Sequence, residues 1–177
     1  MRLSLFLCSF LISILSFAQP PATSASSVQQ ALQEKETLLK NSIVKNLPFK
    51  NIGPSIMSGR VTAIAVNPKN PIEFYVGYAT GGVWHTLNNG TTFKPILDNS
   101  PTQNVGSLAV DWNNGVIWVG TGEVNASRSS YAGIGLLMSD DNGKTWSNMG
   151  LTDSHHISSI LINPEDSDEI VVSTVGH

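Results

Sequence analysis

Apolar and polar residues alternate in three runs of the chain, and the runs repeat one another. "VTAIAVNPKNPIEFYVG" from Val61, "VGSLAVDWNNGVIWVG" from Val105 and "ISSILINPEDSDEIVVS" from Ile157 align column by column. Ile64, Leu108 and Ile160 correspond, as do Val66, Val110 and Ile162, and Asn67, Asp111 and Asn163 open a turn each time. Each run predicts a hairpin: an apolar strand, a turn of Asn, Asp, Pro or Gly, and a second strand of β-branched and aromatic residues. A different rhythm precedes them. "SVQQALQEKETLLKNSIVKNL" sets Val28, Leu32, Leu39 and Ile43 on one helical face, with Glu36 and Lys40 four apart and Pro48 as the stop. The pattern is too short for a coiled coil, so the helix is expected to pack on the domain that follows.

A third strand and its turn also recur. "GGVWHTLNNGTTF" (Gly81 to Phe93) matches "GIGLLMSDDNGKTW" (Gly133 to Trp146), with Thr86 answering Ser139 and Phe93 answering Trp146. "FKNIGP" from Phe49 matches "WSNMGL" from Trp146, which is the expected fourth strand. The unit is thus four short antiparallel strands, spaced 44 residues from Val66 to Val110 and 52 from Val110 to Ile162. That period predicts an all-β fold, a β-propeller of four-stranded antiparallel blades preceded by a short helix. Blades are expected at 61–97, 105–150 and 157–177, about two and a half in all, with 49–52 as a ring-closing strand in the last blade. Closed propellers have more blades than this, so 48–177 is read as an incomplete propeller whose remaining blades belong to its own chain.

"SDDNGKTW", Ser139 to Trp146, reads as a way of folding. Gly90 and Gly143 allow a positive backbone angle in the turn between third and fourth strands. Asp141 can accept from amides of its own turn, and Trp146 and Phe93 fill the space beside the hairpin. A calcium loop is the competing reading, but Met138 and Met149 stand where its first and last acidic ligands belong.

Composition changes the picture at the N-terminus. "MRLSLFLCSFLISILSFAQ" has one basic residue, an apolar run and Ser16-Phe17-Ala18 before Gln19, the pattern of a signal peptide over 1–18 cleaved near Ala18-Gln19. The protein is then expected to be secreted, with no stable membrane anchor, and 19–47 is leader and helix. Cys8, the lone cysteine, falls inside the removed segment, so no disulfide is available. Losing Arg2 takes the net charge from −3 to −4, and no basic cluster exists to hold nucleic acid.

Candidate chemistry gathers where second strands meet third strands and where blade meets blade, the usual ligand face. Gly77 to Gly120 is an offset of 43 and Thr86 to Ser139 one of 53, so ten residues are inserted in that loop of the second blade. The face collects Arg60, Glu123, Asn125, Arg128, Tyr131, His155 and His156. Glu, Asn, Arg and Tyr can bond sugars or peptide backbone; equally, the insertion is a tolerated loop with Glu123 paired to Arg128. His155 and His156 would point to opposite sides of a strand, so neither a metal nor another cofactor is expected. The acidic group Glu165, Asp166, Asp168 and Glu169 is expected to be solvated on the other face. Only Glu123 qualifies as a glycosidase carboxylate, with Asp153 behind it.

The octet resembles the Asp-box of bacterial-neuraminidase repeats, fully at Ser139, Asp141, Gly143, Thr145 and Trp146, and with Thr86, Asn88, Gly90 and Phe93 as a degenerate copy. With the run from Ile52 to Phe93, it is similar to sortilin-type receptor propellers and xyloglucanase-like secreted propellers. The resemblance implies a structural role for the box away from the functional face. It implies a module binding a peptide, protein or carbohydrate ligand, or alternatively a glycoside hydrolase whose carboxylates lie mostly beyond residue 177.

Overall fold

Alternation with period two, broken by Asn-Pro or Asn-Gly turns, gives short strands that can only bury their apolar faces by stacking sheet on sheet. The structure, a computed structural model, describes residues 23–48, 59–125 and 130–175. The segment expected to be a signal peptide, the strand expected over 49–52, Arg128 and His177 lie outside the described residues. Blade 1 is a four-stranded antiparallel sheet of β1 (Val61–Val66), β2 (Phe74–Tyr78), β3 (Gly82–Thr86) and β4 (Lys94–Pro95) in that order. Blade 2 repeats it with β5 (Val105–Asp111), β6 (Val116–Thr121), β7 (Leu136–Ser139) and β8 (Ser147–Asn148). Blade 3 contributes the hairpin β9 (Ile157–Ile162) and β10 (Ile170–Thr174).

The register confirms the alignment of the repeats. Ile64 pairs with Val76, Leu108 with Val119 and Ile160 with Val172. Each first strand also carries one bulged residue at the same step, Thr62, Gly106 or Ser158, which the alternation does not announce. The fourth strands are only two residues long, and Pro95 in β4 withholds a donor from the outer edge.

Two apolar seams hold the blades face to face. Tyr75, Val83, Ile96 and Leu97 of blade 1 bury against Val105, Ile117, Val119 and Leu137 of blade 2. Leu136 and Trp118 of blade 2 meet Ile157 and Ile160 of blade 3.

The helix α1 (Ala25–Asn41) is capped by Ser24, whose hydroxyl accepts from Ser27 N. It buries no residue. Val28 and Leu32 are half-buried, whereas Leu39 is 59% exposed and Ile43 fully so. The expected packing is therefore limited to the first half of the helix, because the apolar stripe outruns the surface available to cover it. Among the described residues no helix is long and apolar enough to cross a membrane.

Candidate functional site

Loops leaving the second strands and loops leading into the first strands interlock on one face of the arc. Ala79 N donates to Arg60 O (2.8 Å), Gly82 N to Gln103 O (3.0 Å), Gly122 N to Asn104 O (3.1 Å) and Gly133 N to His155 O (2.6 Å). Gly122 has φ of 84°, and a Cβ there would run into the His155 carbonyl, so only glycine lets these loops close. The insertion of blade 2 is fastened at its far end by Asn104 Nδ2, which donates to Ala132 O (3.0 Å).

Glu123 sits at the root of that insertion. Its amide donates to Tyr131 O (3.2 Å), and its side chain is wholly buried. Arg60 Nε donates to Glu123 Oε1 (2.9 Å), and Nη2 reaches the same oxygen. The Arg60 side chain remains 53% exposed, and the bond to Glu123 raises its already high pKa. Oε2 is buried and finds no partner among the described residues. Glu123 thus pairs with Arg60, 63 residues away and ahead of β1, while Arg128, its expected partner, lies outside the described residues.

The other candidates spread around this pair. Tyr131 is 50% exposed, and Asn125 is exposed while its carbonyl accepts from Ser130 Oγ (2.9 Å). His155 and His156 precede β9 and do not belong to a strand, so alternation does not set their directions. His155 has φ of 54°. The His156 carbonyl accepts from Val175 N (3.0 Å), and its Nδ1 is buried with no partner among the described residues. Among the described residues no three His, Cys, Asp or Glu side chains group closely enough to hold a metal ion. Asp153 Oδ1 accepts from Ala25 N (3.2 Å) at the start of α1. Asn104 and Gln103 escaped the sequence reading, because their roles depend on loops that meet only in the fold.

On the opposite face the turns are built from their own side chains. Ser139 Oγ accepts from Gly143 N (2.9 Å) and donates to Asp141 Oδ1 (2.8 Å). Asp141 also accepts from Lys144 N (3.0 Å), Thr145 N (2.9 Å) and Thr145 Oγ1 (2.7 Å). Thr86, Asn88 and Gly90 repeat the arrangement: Gly90 N donates to Thr86 Oγ1 (2.9 Å) and Thr92 N to Asn88 Oδ1 (2.9 Å). Trp146 Nε1 donates to Ile96 O (3.1 Å), tying the second turn to the preceding blade, whereas Phe93 meets Phe74 edge-on inside its own blade. Glu169 is not simply solvated: its Oε2 accepts from Asn163 Nδ2 (2.7 Å), as Glu73 does from Asn67 (2.9 Å). Here too the ring of Tyr75 stacks on His85 at 4.0 Å, and burial, with the charge of Glu73 adding, pushes the Tyr75 hydroxyl up to about 12.

No family model and no curated protein matches the chain. Among solved structures it is similar to a GH74 enzyme of Niastella koreensis, with a TM-score of 0.50 and 17% identity over 64% of this chain and 17% of that one. An ancestral GH74 enzyme gives a TM-score of 0.49 and 18% identity over 67% of this chain and 17% of the other. The chain therefore spans 17% of the length of each. At such identity the likeness is one of fold, and the fold is that of successive blades of a β-propeller.

Proposed function

We propose that this is a secreted propeller that binds a peptide or glycan through the face formed by Arg60, Asn125, Tyr131 and His155. The reading is carried by the burial of Glu123 beneath Arg60. The one carboxylate of the insertion is used to anchor the loop, while the Arg60 guanidinium, the Tyr131 ring and Asn125 are left facing solvent. Side chains of that kind give a contact surface rather than a proton-transfer pair.

Arg60 and Glu123 are poor test positions, because removing either leaves its partner unpaired. Tyr131 is a cleaner one. A ligand is first identified from arrays of acidic and neutral oligosaccharides and short peptides. Tyr131→Ala is then expected to weaken its binding roughly tenfold, as loss of an aromatic anchor does, at an unchanged unfolding temperature. Wild-type affinity in that variant would remove the face from consideration.

A second reading, a glycoside hydrolase, draws on the likeness to GH74 enzymes. It requires carboxylates other than Glu123 and Asp153, the first buried and the second engaged by the Ala25 amide. Release of reducing sugar from β-glucans by the purified chain would favour it over binding alone.

A further inference from the structure

An asparagine followed by glycine can modify itself. The glycine nitrogen attacks the asparagine side-chain carbonyl carbon, its proton goes to solvent, and the Cγ–Nδ2 bond breaks with release of ammonia. Water then opens the cyclic imide to aspartate or isoaspartate. The chain holds three such pairs, Asn89-Gly90, Asn114-Gly115 and Asn142-Gly143, and each asparagine is exposed in a turn.

All three glycine amides are engaged. Gly90 N donates to Thr86 Oγ1 (2.9 Å), Gly143 N to Ser139 Oγ (2.9 Å) and Gly115 N to Asp111 O (2.8 Å). A nitrogen aimed at such an acceptor cannot turn on its own asparagine until the bond opens. The pairs differ in what holds the side chain. Asn114 Nδ2, the group that would leave, donates to Asp111 Oδ2 (2.7 Å) and Ser167 Oγ (3.1 Å). Asn89 and Asn142 sit at φ of 54° and 60°, and among the described residues no comparable bond holds their side chains. There the restraint falls on the hydroxyls of Thr86 and Ser139, which are 1% and 2% exposed and so shielded from competing water.

We infer that Asn89 and Asn142 are latent deamidation sites, and that the buried hydroxyls of Thr86 and Ser139 hold them shut. The hydroxyl then protects the covalent chain as well as shaping the turn. Conversion at Asn142 would set a further carboxylate beside Asp141, or lengthen the main chain of the turn by one methylene.

The test follows each site by peptide mapping in mildly alkaline buffer, with wild type held folded and, separately, in urea. In urea the three sites should convert at similar rates, and in the folded chain all should be slow. Ser139→Ala is expected to quicken Asn142 about fivefold, as loss of one such bond allows, with Asn89 and Asn114 unchanged. Thr86→Val should do the same at Asn89 alone. Ser139→Thr and Thr86→Ser keep a hydroxyl and should stay slow. If a variant fails to fold, its three sites quicken together and wild type carries the test. The slowing at Asn89 and Asn142 must then track the slowing of hydrogen exchange at the Gly90 and Gly143 amides, because one opening permits both. Conversion as fast folded as in urea, a folded hydroxyl-free variant that stays slow, or equal quickening in the variants that keep a hydroxyl overturns the proposal.

Discussion

Four donors converge on the two oxygens of Asp141: the amides of Lys144 and Thr145 and the hydroxyls of Thr145 and Ser139. The Thr145 amide, then its hydroxyl, contribute most to holding the carboxyl down at about 2, with the Ser139 and Lys144 bonds adding and partial desolvation opposing. In the unfolded chain the same group titrates near ~3.9. A lowered folded value means that the carboxylate stabilises the fold above about pH 4, and that this contribution is lost as pH falls through the folded value. Blade 1 uses Asn88 at this position, which accepts from Thr92 N and does not titrate. We therefore expect Asp141→Asn to unfold at a lower temperature than wild type near pH 6, with the gap closing between about pH 4 and pH 2. Thermal melts across that range decide it; a gap of constant size would mean that the charge is irrelevant to the turn. Residues such as Asp141 and Ser139 were legible in the sequence because their partners lie within a few positions. The partners of Glu123 and Trp146 were not, since Arg60 and Ile96 are brought to them by the stacking of blades.

Among elements, the first strands show where period-two reading stops. Alternation resumes after a bulge, so Thr62, Gly106 and Ser158 leave no gap in the pattern and only the ladder reveals them. Each bulge is satisfied differently. Thr62 Oγ1 lies 3.2 Å from Gly77 O and 3.0 Å from Val105 O, and Ser158 Oγ donates to Ser173 O (3.1 Å). Gly106 has no side chain to offer, and a Cβ there would meet the carbonyl oxygens of Gly122 and Ile157. The obstruction is backbone on both sides, one side being the next blade, so it cannot be relieved by a rotamer change. Gly106→Ala should thus cost more than Thr62→Ala in urea unfolding, at least ~1–3 kcal/mol against about 1 kcal/mol for the lost hydroxyl bond. Equal costs would show that blade 3 can move away from blade 2 freely. The hairpins themselves were legible because three copies agree on strand, turn and strand. The extent of helix packing was not, because an apolar stripe specifies a face without specifying the surface that covers it.

At the scale of the whole molecule, protection should follow neighbours. Blade 2 has a sheet packed on each face, through Leu108, Val110 and Leu137 on the blade 1 side and Ala109, Trp118 and Leu136 on the blade 3 side. Among the described residues blades 1 and 3 are each packed on one face, and β10 is the outer strand of the two-stranded sheet described for blade 3. Local opening costs least where the fewest apolar contacts must be broken. In dilute solution amide exchange should be slowest in β6 and β7, faster in β1 and fastest in β10. A substitution in the second seam separates two explanations of that gradient. If apolar cover sets it, Trp118→Ala, which thins the seam between blades 2 and 3, should speed exchange in β9 and β10 while leaving β1 unchanged. If β10 frays because its own hairpin is weak, its exchange is indifferent to that substitution, and the gradient then reflects strand pairing rather than packing between blades.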